Sequence, residues 1–135
     1  MKIKFYLKLY ALTIPIFFII DIVWIGVVAQ DFYQKYLGYI LSPNVNWTAA
    51  IIFYLIYIVG IIIFGVRPAI IHNSFKHAII FGGLFGFFTY ATYDLTNLAT
   101  VKNWPLIVTL IDMFWGTFLG ASVAGSSFMV SRRIR

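Results

Sequence analysis

Cysteine and glutamate are both absent from this 135-residue chain, and charged residues make up only 10% of it. Without cysteine there can be no disulfide, no thiolate metal site and no cysteine nucleophile, and the redox compartment is left open. The acids are four aspartates, Asp21, Asp31, Asp94 and Asp112, against ten lysines and arginines, for a formal net charge of +6. So little charge cannot clothe an ordinary soluble domain. In its place stand 62% hydrophobic residues and 20% aromatics, a composition that belongs to membrane proteins.

The apolar sequence falls into four runs, near residues 7–29, 47–66, 78–100 and 105–130, each long enough to cross a bilayer as a helix. They use most of the chain, so the expectation is one all-α domain over residues 1–135, an integral membrane four-helix transmembrane bundle. The first run follows Lys2, Lys4 and Lys8, contains Pro15 as a kink site and is interrupted by Asp21. Its rival reading is a secretory signal peptide ending near Val28-Ala29-Gln30, but a signal core is usually shorter and uncharged. Residues 30–46 mix aromatics with a few charges, as a segment lying at the membrane interface would. The second run carries no charge and is expected to stop at Arg67-Pro68, where proline ends the helix and arginine meets the headgroups. Lys102-Asn103-Trp104-Pro105 reads as a tight turn. Gly82 and Gly86, and the series Gly116, Gly120, Ala124, are small-residue spacings that let the third and fourth spans approach closely, or make contact with a second copy.

Four crossings put the two ends and the second linker on one side. That side holds Lys2, Lys4, Lys8, Arg67, Lys76, Arg132, Arg133 and Arg135, while Lys35 and Lys102 fall on the other. The bias predicts a multi-pass membrane protein with both termini cytoplasmic. The basic residues are scattered over short loops and ends, which argues against nucleic acid as a partner; the lipid bilayer is the partner the composition implies.

With that orientation, Asp21, Asp94 and Asp112 come to lie roughly 9 to 12 Å below the outer surface at ~1.5 Å per residue, nearly on one level. Three different helices thus bring carboxyl groups to one layer. On the third span, Gly86, Tyr90, Asp94 and Asn97 share a helix face with Tyr93 beside it, inside the polar run Thr89–Thr100. Ile20-Asp21-Ile22-Val23-Trp24 and Ile111-Asp112-Met113-Phe114-Trp115 both place a tryptophan three residues after an acid. The expectation is a polar cavity opening outward, lined by Asp21, Trp24, Tyr90, Tyr93, Asp94, Asn97, Asp112 and Trp115, with the Ala50, Tyr54, Tyr57 stripe of the second span as a candidate wall. No lysine, arginine or histidine lies in the spans at that depth. The carboxyls therefore need shared protons or an external cation. Trp47 and Trp104, at span ends, are expected as interfacial anchors, and His72 and His77 as headgroup-level residues. No catalytic residue, metal ligand set or cofactor is indicated.

Asp21-x-x-Trp24, Tyr33 with Leu37-Gly38, Pro43-Asn44, Phe53-Tyr54-Leu55, Phe64-Gly65-Val66 with Pro68-Ala69, Gly82-x-x-x-Gly86, Trp104 and Asp112-x-x-Trp115-Gly116 form a pattern over nearly the whole chain. Together with its most specific stretch, Tyr90-Ala91-Thr92-Tyr93-Asp94-Leu95-Thr96-Asn97, it resembles the bacterial membrane-protein family catalogued as domain of unknown function 2177 (DUF2177). The resemblance implies a small four-helix inner-membrane protein and brings no activity, substrate or cofactor with it.

Two readings of function follow. In one, the carboxylate layer is a site for a small molecule, lipid headgroup or cation, used in transport or in a membrane-embedded reaction. In the other, the chain is a non-catalytic subunit or scaffold, whose polar layer binds a partner helix or specifies packing. Whether it is an enzyme is open, and a homodimer or a partner in a membrane complex fits either reading.

Overall fold

The computed structural model describes residues 2–135, and all regular structure within them is helical. Helix α1, Lys2–Val23, passes through Pro15 and closes in a π turn, Trp24–Val28. Helix α2, Gln30–Leu37, is short and lies across that end of the molecule. Helix α3, Trp47–Ile61, starts at Asn46, whose side-chain oxygen accepts from the Ala49 N–H at 3.1 Å, an N-cap that satisfies one orphan donor of the first turn. A second π turn, Ile62–Val66, joins α3 to α4, Arg67–His72. Helices α5, Phe75–Thr100, and α6, Leu106–Ile134, complete the chain. Four stretches are long and apolar enough to cross a membrane: Lys2–Val28, Trp47–His72, Phe75–Thr100 and Leu106–Ile134.

The second span runs past the point where Pro68 was expected to end it. Proline lacks an N–H and its ring collides with the carbonyl four residues back in a regular helix. Here the wider π turn lies just upstream, with the Arg67 N–H bonded to the Ile62 carbonyl, so the ring is accommodated and the helix continues. It ends at Asn73, in the left-handed conformation with φ 51°. Ser74 then caps α5 by accepting from the His77 N–H at 3.1 Å. What reads as a polar linker is thus mostly helix, with the turn at Asn73-Ser74.

The seam between α5 and α6 is the most extensive in the molecule. Gly82 faces Gly120 and Ala124, and Gly86 faces Gly116; a methyl group on Gly86 would run into the Gly116 carbonyl, and one on Gly120 into the Gly82 carbonyl. The small-residue series therefore packs the two spans within one chain, backbone against backbone. Helix α1 lies antiparallel along α6, joined by a buried hydrogen bond between the Thr13 and Ser127 hydroxyls at 2.7 Å. Helix α3 leans on α1 through Phe17, whose ring centroid is 5.6 Å from that of Tyr54 and 5.8 Å from that of Tyr57.

At one end of the bundle, Leu37 of α2, Trp104 and Val108 form a small buried cluster with Phe32, Tyr33 and Tyr36 packed on it. The Tyr39 hydroxyl adds a hydrogen bond to the Asn103 carbonyl at 2.7 Å. At the opposite end, the start of α1, helix α4 and the last residues of α6 surround a common hollow. Lys2 and Arg135 therefore lie at the end away from α2.

A candidate carboxylate site

Each of the three span aspartates is inside the bundle: Asp94 is 0% exposed, Asp21 5% and Asp112 7%. The expected single level is not what the helices build. Thr13 opposite Ser127 and Trp24 opposite Trp115 fix the register of α1 on α6. That register sets Asp21 opposite Leu119, roughly 10 Å nearer the termini than Asp112. The level was misjudged because it was measured from span ends, whereas the register is set by the helix contacts. In antiparallel helices the same Ile-Asp-x-x-Trp order points opposite ways. The two indoles stack with centroids 4.4 Å apart and planes at 8°, so one acid falls on each side of the stack.

The upper tier, nearer α2, holds Asp94 and Asp112. In α5 and α6 the Cβ atoms tilt toward each helix's own N-terminus, so in this antiparallel pair the Asp94 and Asp112 side chains lean toward each other and their carboxyls meet. Tyr33 of α2 donates its hydroxyl hydrogen to Asp112 Oδ1 and accepts from Trp24 Nε1 at 3.2 Å. Burial, and then the hydrogen bond to Asp112 and the charge of that acid, push the Tyr33 phenol above its ordinary range. Asp94 has no such partner: neither carboxyl oxygen meets a hydrogen-bond donor. Leaving a buried acceptor unsatisfied costs about 1–3 kcal/mol, more when it is charged. Around it, Trp104 Nε1 donates to Thr109 Oγ1 at 3.1 Å, and that hydroxyl lies 3.4 Å from the Asp94 backbone carbonyl.

The lower tier holds Asp21, which faces the Tyr54 hydroxyl and the Trp115 indole. Trp115 Nε1 itself reaches no acceptor at hydrogen-bonding geometry. Beside it the Tyr57 hydroxyl meets Thr89 Oγ1 at 2.9 Å. Tyr90 stands between the tiers: its ring covers Gly116 and lies 6.3 Å from that of Tyr57, edge to face. Leu119 is buried at the level of Asp21, and Phe17, one turn nearer the termini on α1, is buried with Ile58 and Ile61 in the same core cluster.

None of the three acids lines any of three prominent hollows of the molecule; one of these touches Trp24 and Trp115 but no acid. The layer is shut at the α2 end because Tyr33 and its neighbours are docked over it. Of the expected lining, Asp21, Trp24, Tyr90, Asp94, Asp112 and Trp115 come together. Tyr93 points outward, 58% exposed, with its ring against Trp104, and half-buried Asn97 makes no hydrogen bond to Asp94. Trp104, between α5 and α6, is a buried member of the α2 cluster. Sequence reasoning passed over Tyr33 and Thr109 as site residues. Nothing in the spacing of α2 shows which phenol faces inward; its place in the resembling pattern was the available signal.

Among the described residues no group of three or more histidine, cysteine or acidic side chains is arranged to hold a metal ion. Lys35 stands over the Tyr36 ring, 5.3 Å from its centroid, and is exposed. His72 and His77 stack on each other at the termini end, with centroids 4.6 Å apart.

No curated protein and no solved structure matches the chain. A family model described as a predicted membrane protein, DUF2177, matches residues 6–129. With four membrane-length apolar helices and a match over nearly its full length, the chain belongs to the DUF2177 family of predicted membrane proteins.

Proposed function

We propose that this multi-pass membrane protein binds a small monovalent cation, the proton included, at the Asp94–Asp112 pair. In this reading both termini are cytoplasmic, the membrane is the bacterial inner membrane, and the site lies in its outer half under α2. The observation that carries the proposal is the Asp94 carboxyl: wholly buried, beside a second acid, and without a donor at either oxygen. Hydrocarbon-embedded acids are stable only when paired, and a proton or cation between the two carboxyls supplies the missing partner. Tyr33 is then the cover, since its hydroxyl holds Asp112 from the α2 side. Asp21, with Tyr54, is a second station for the same cation, reached past Tyr90. The apolar plug below Asp21 makes this an occlusion site entered from one end, and not a continuous pore.

A hydrophobic carbodiimide tests the reading, because it adds to membrane carboxyls in their protonated form. The expected result is an adduct on Asp94 or Asp112 that is suppressed by raising the concentration of a bound cation and lost in Asp94→Asn. That variant keeps the shape and supplies an amide donor, so it should also unfold at a higher temperature, by about 1 kcal/mol of added stability. No adduct, and no effect of any cation on stability, would contradict the proposal. A scaffold role would then be favoured by the one observation that already suits it, the closed packing of the layer.

A further inference from the structure

At the termini end, a hollow of about 820 Å³ lies between the first turns of α1, helix α4 and the end of α6. Lys2, Lys4, Lys8, Arg67 and Arg135 line it, and no aspartate does. All four aspartates of the chain, Asp21, Asp31, Asp94 and Asp112, lie toward the other end. Between the cations its wall is apolar, with Ile3, Phe5 and Ile70 among the lining.

A second hollow of about 410 Å³ adjoins the first, between α1 and the second span. Both share Ile3, Tyr6 and Arg67. The second is lined further along by Leu7, Tyr10, Val59 and Ile63. Tyr10 is fixed there by its hydroxyl, which donates to the Leu55 carbonyl at 2.9 Å. A cationic chamber at the span ends thus abuts, at Arg67, an apolar groove whose lining runs along α1 and the second span as far as Tyr10 and Val59.

We propose that these joined hollows bind an anionic diacyl phospholipid, with the headgroup phosphate among Lys4, Lys8 and Arg67 and one acyl chain along Tyr6, Tyr10, Val59 and Ile63. Charge selects the headgroup, because cations at this depth attract anionic lipid. Shape selects a lipid over a soluble anion, because the apolar groove shares Ile3, Tyr6 and Arg67 with the cationic chamber, so a headgroup in one places an acyl chain beside the other. The Arg67 guanidinium, at the junction, offers several donors to one phosphate. The site is separate from the carboxylate layer and stands whether or not that layer binds a cation.

Native mass spectrometry of the full chain in detergent, with equal phosphatidylglycerol and phosphatidylcholine of the same acyl chains, tests this. The native protein should retain phosphatidylglycerol at least about tenfold better. Lys4→Gln with Arg67→Gln should reduce that retention by about thirtyfold, two cations being removed, while Lys35→Gln with Lys102→Gln at the other end should leave it unchanged. Val59→Trp, which keeps every charge and fills the groove, should lower retention of both lipids. Equal retention of the two lipids by the native chain would overturn the proposal. So would an equal loss from the distant lysine pair, unchanged retention in Val59→Trp, or displacement of the lipid by inorganic phosphate alone.

Discussion

Tyr33 holds its proton beyond the ordinary phenol range because it is buried and bonded to an acid. Its folded value is raised above the unfolded one of 10.0, so its contribution is full below about pH 10 and is lost as pH climbs from there toward the folded value. Resistance to thermal unfolding in detergent should therefore weaken above about pH 10. Tyr33→Phe should be less stable at neutral pH by about 1–3 kcal/mol, since Asp112 loses a donor, but should fall less steeply in alkali. The other tyrosines are common to both proteins, so the difference between the two curves isolates Tyr33. Parallel curves would show that the phenol is not held in the way described.

At the scale of elements, the seam of α5 on α6 rests on three glycines whose missing side chains let carbonyls approach. Gly120→Ala should destabilise the bundle by about 1–3 kcal/mol through overpacking. Gly26→Ala, where an added methyl meets nothing within 4 Å, should stay within about 0.5 kcal/mol of the parent. Equal effects in thermal unfolding would count against the seam. This seam was legible in the sequence because the four-residue spacing of Gly116, Gly120 and Ala124 is local to one helix. The four spans were legible for the same reason, since length and hydropathy are local properties. The continuation through Pro68 was not, because a π turn has no spacing signature and the proline alone signals a stop. The docking of Tyr33 was hidden too: it depends on how α2 folds back onto Trp104 and Val108, residues far along the chain.

For the whole molecule, the two tiers of acid could not be read from span ends. The sequence placed Asp21, Asp94 and Asp112 on three helices and in the half away from the termini, but only the α1–α6 register separates Asp21 from the pair. Burial of all three follows from the cost of an acid facing lipid, and that much was foreseeable. The basic residues Lys2, Lys4, Lys8, Arg67 and Arg135 gather at the termini end, so the positive-inside bias predicts that end to be cytoplasmic. A reporter active only outside the cytoplasm should give no signal from either terminus, and strong signal from a C-terminal fusion would reverse the orientation.

The acid pair itself can be tested by cross-linking, for which a chain without cysteine is a ready background. Asp94→Cys combined with Asp112→Cys should be bridged within one chain by mercuric ion, or oxidised to a disulfide, in protein kept in the bilayer. Asp94→Cys combined with Ser127→Cys, on the same two helices but about 28 Å apart by helical rise, should not. Efficient bridging of the first pair alone is the result expected if Asp94 and Asp112 share one buried site; no bridging, or equal bridging of both pairs, would contradict it.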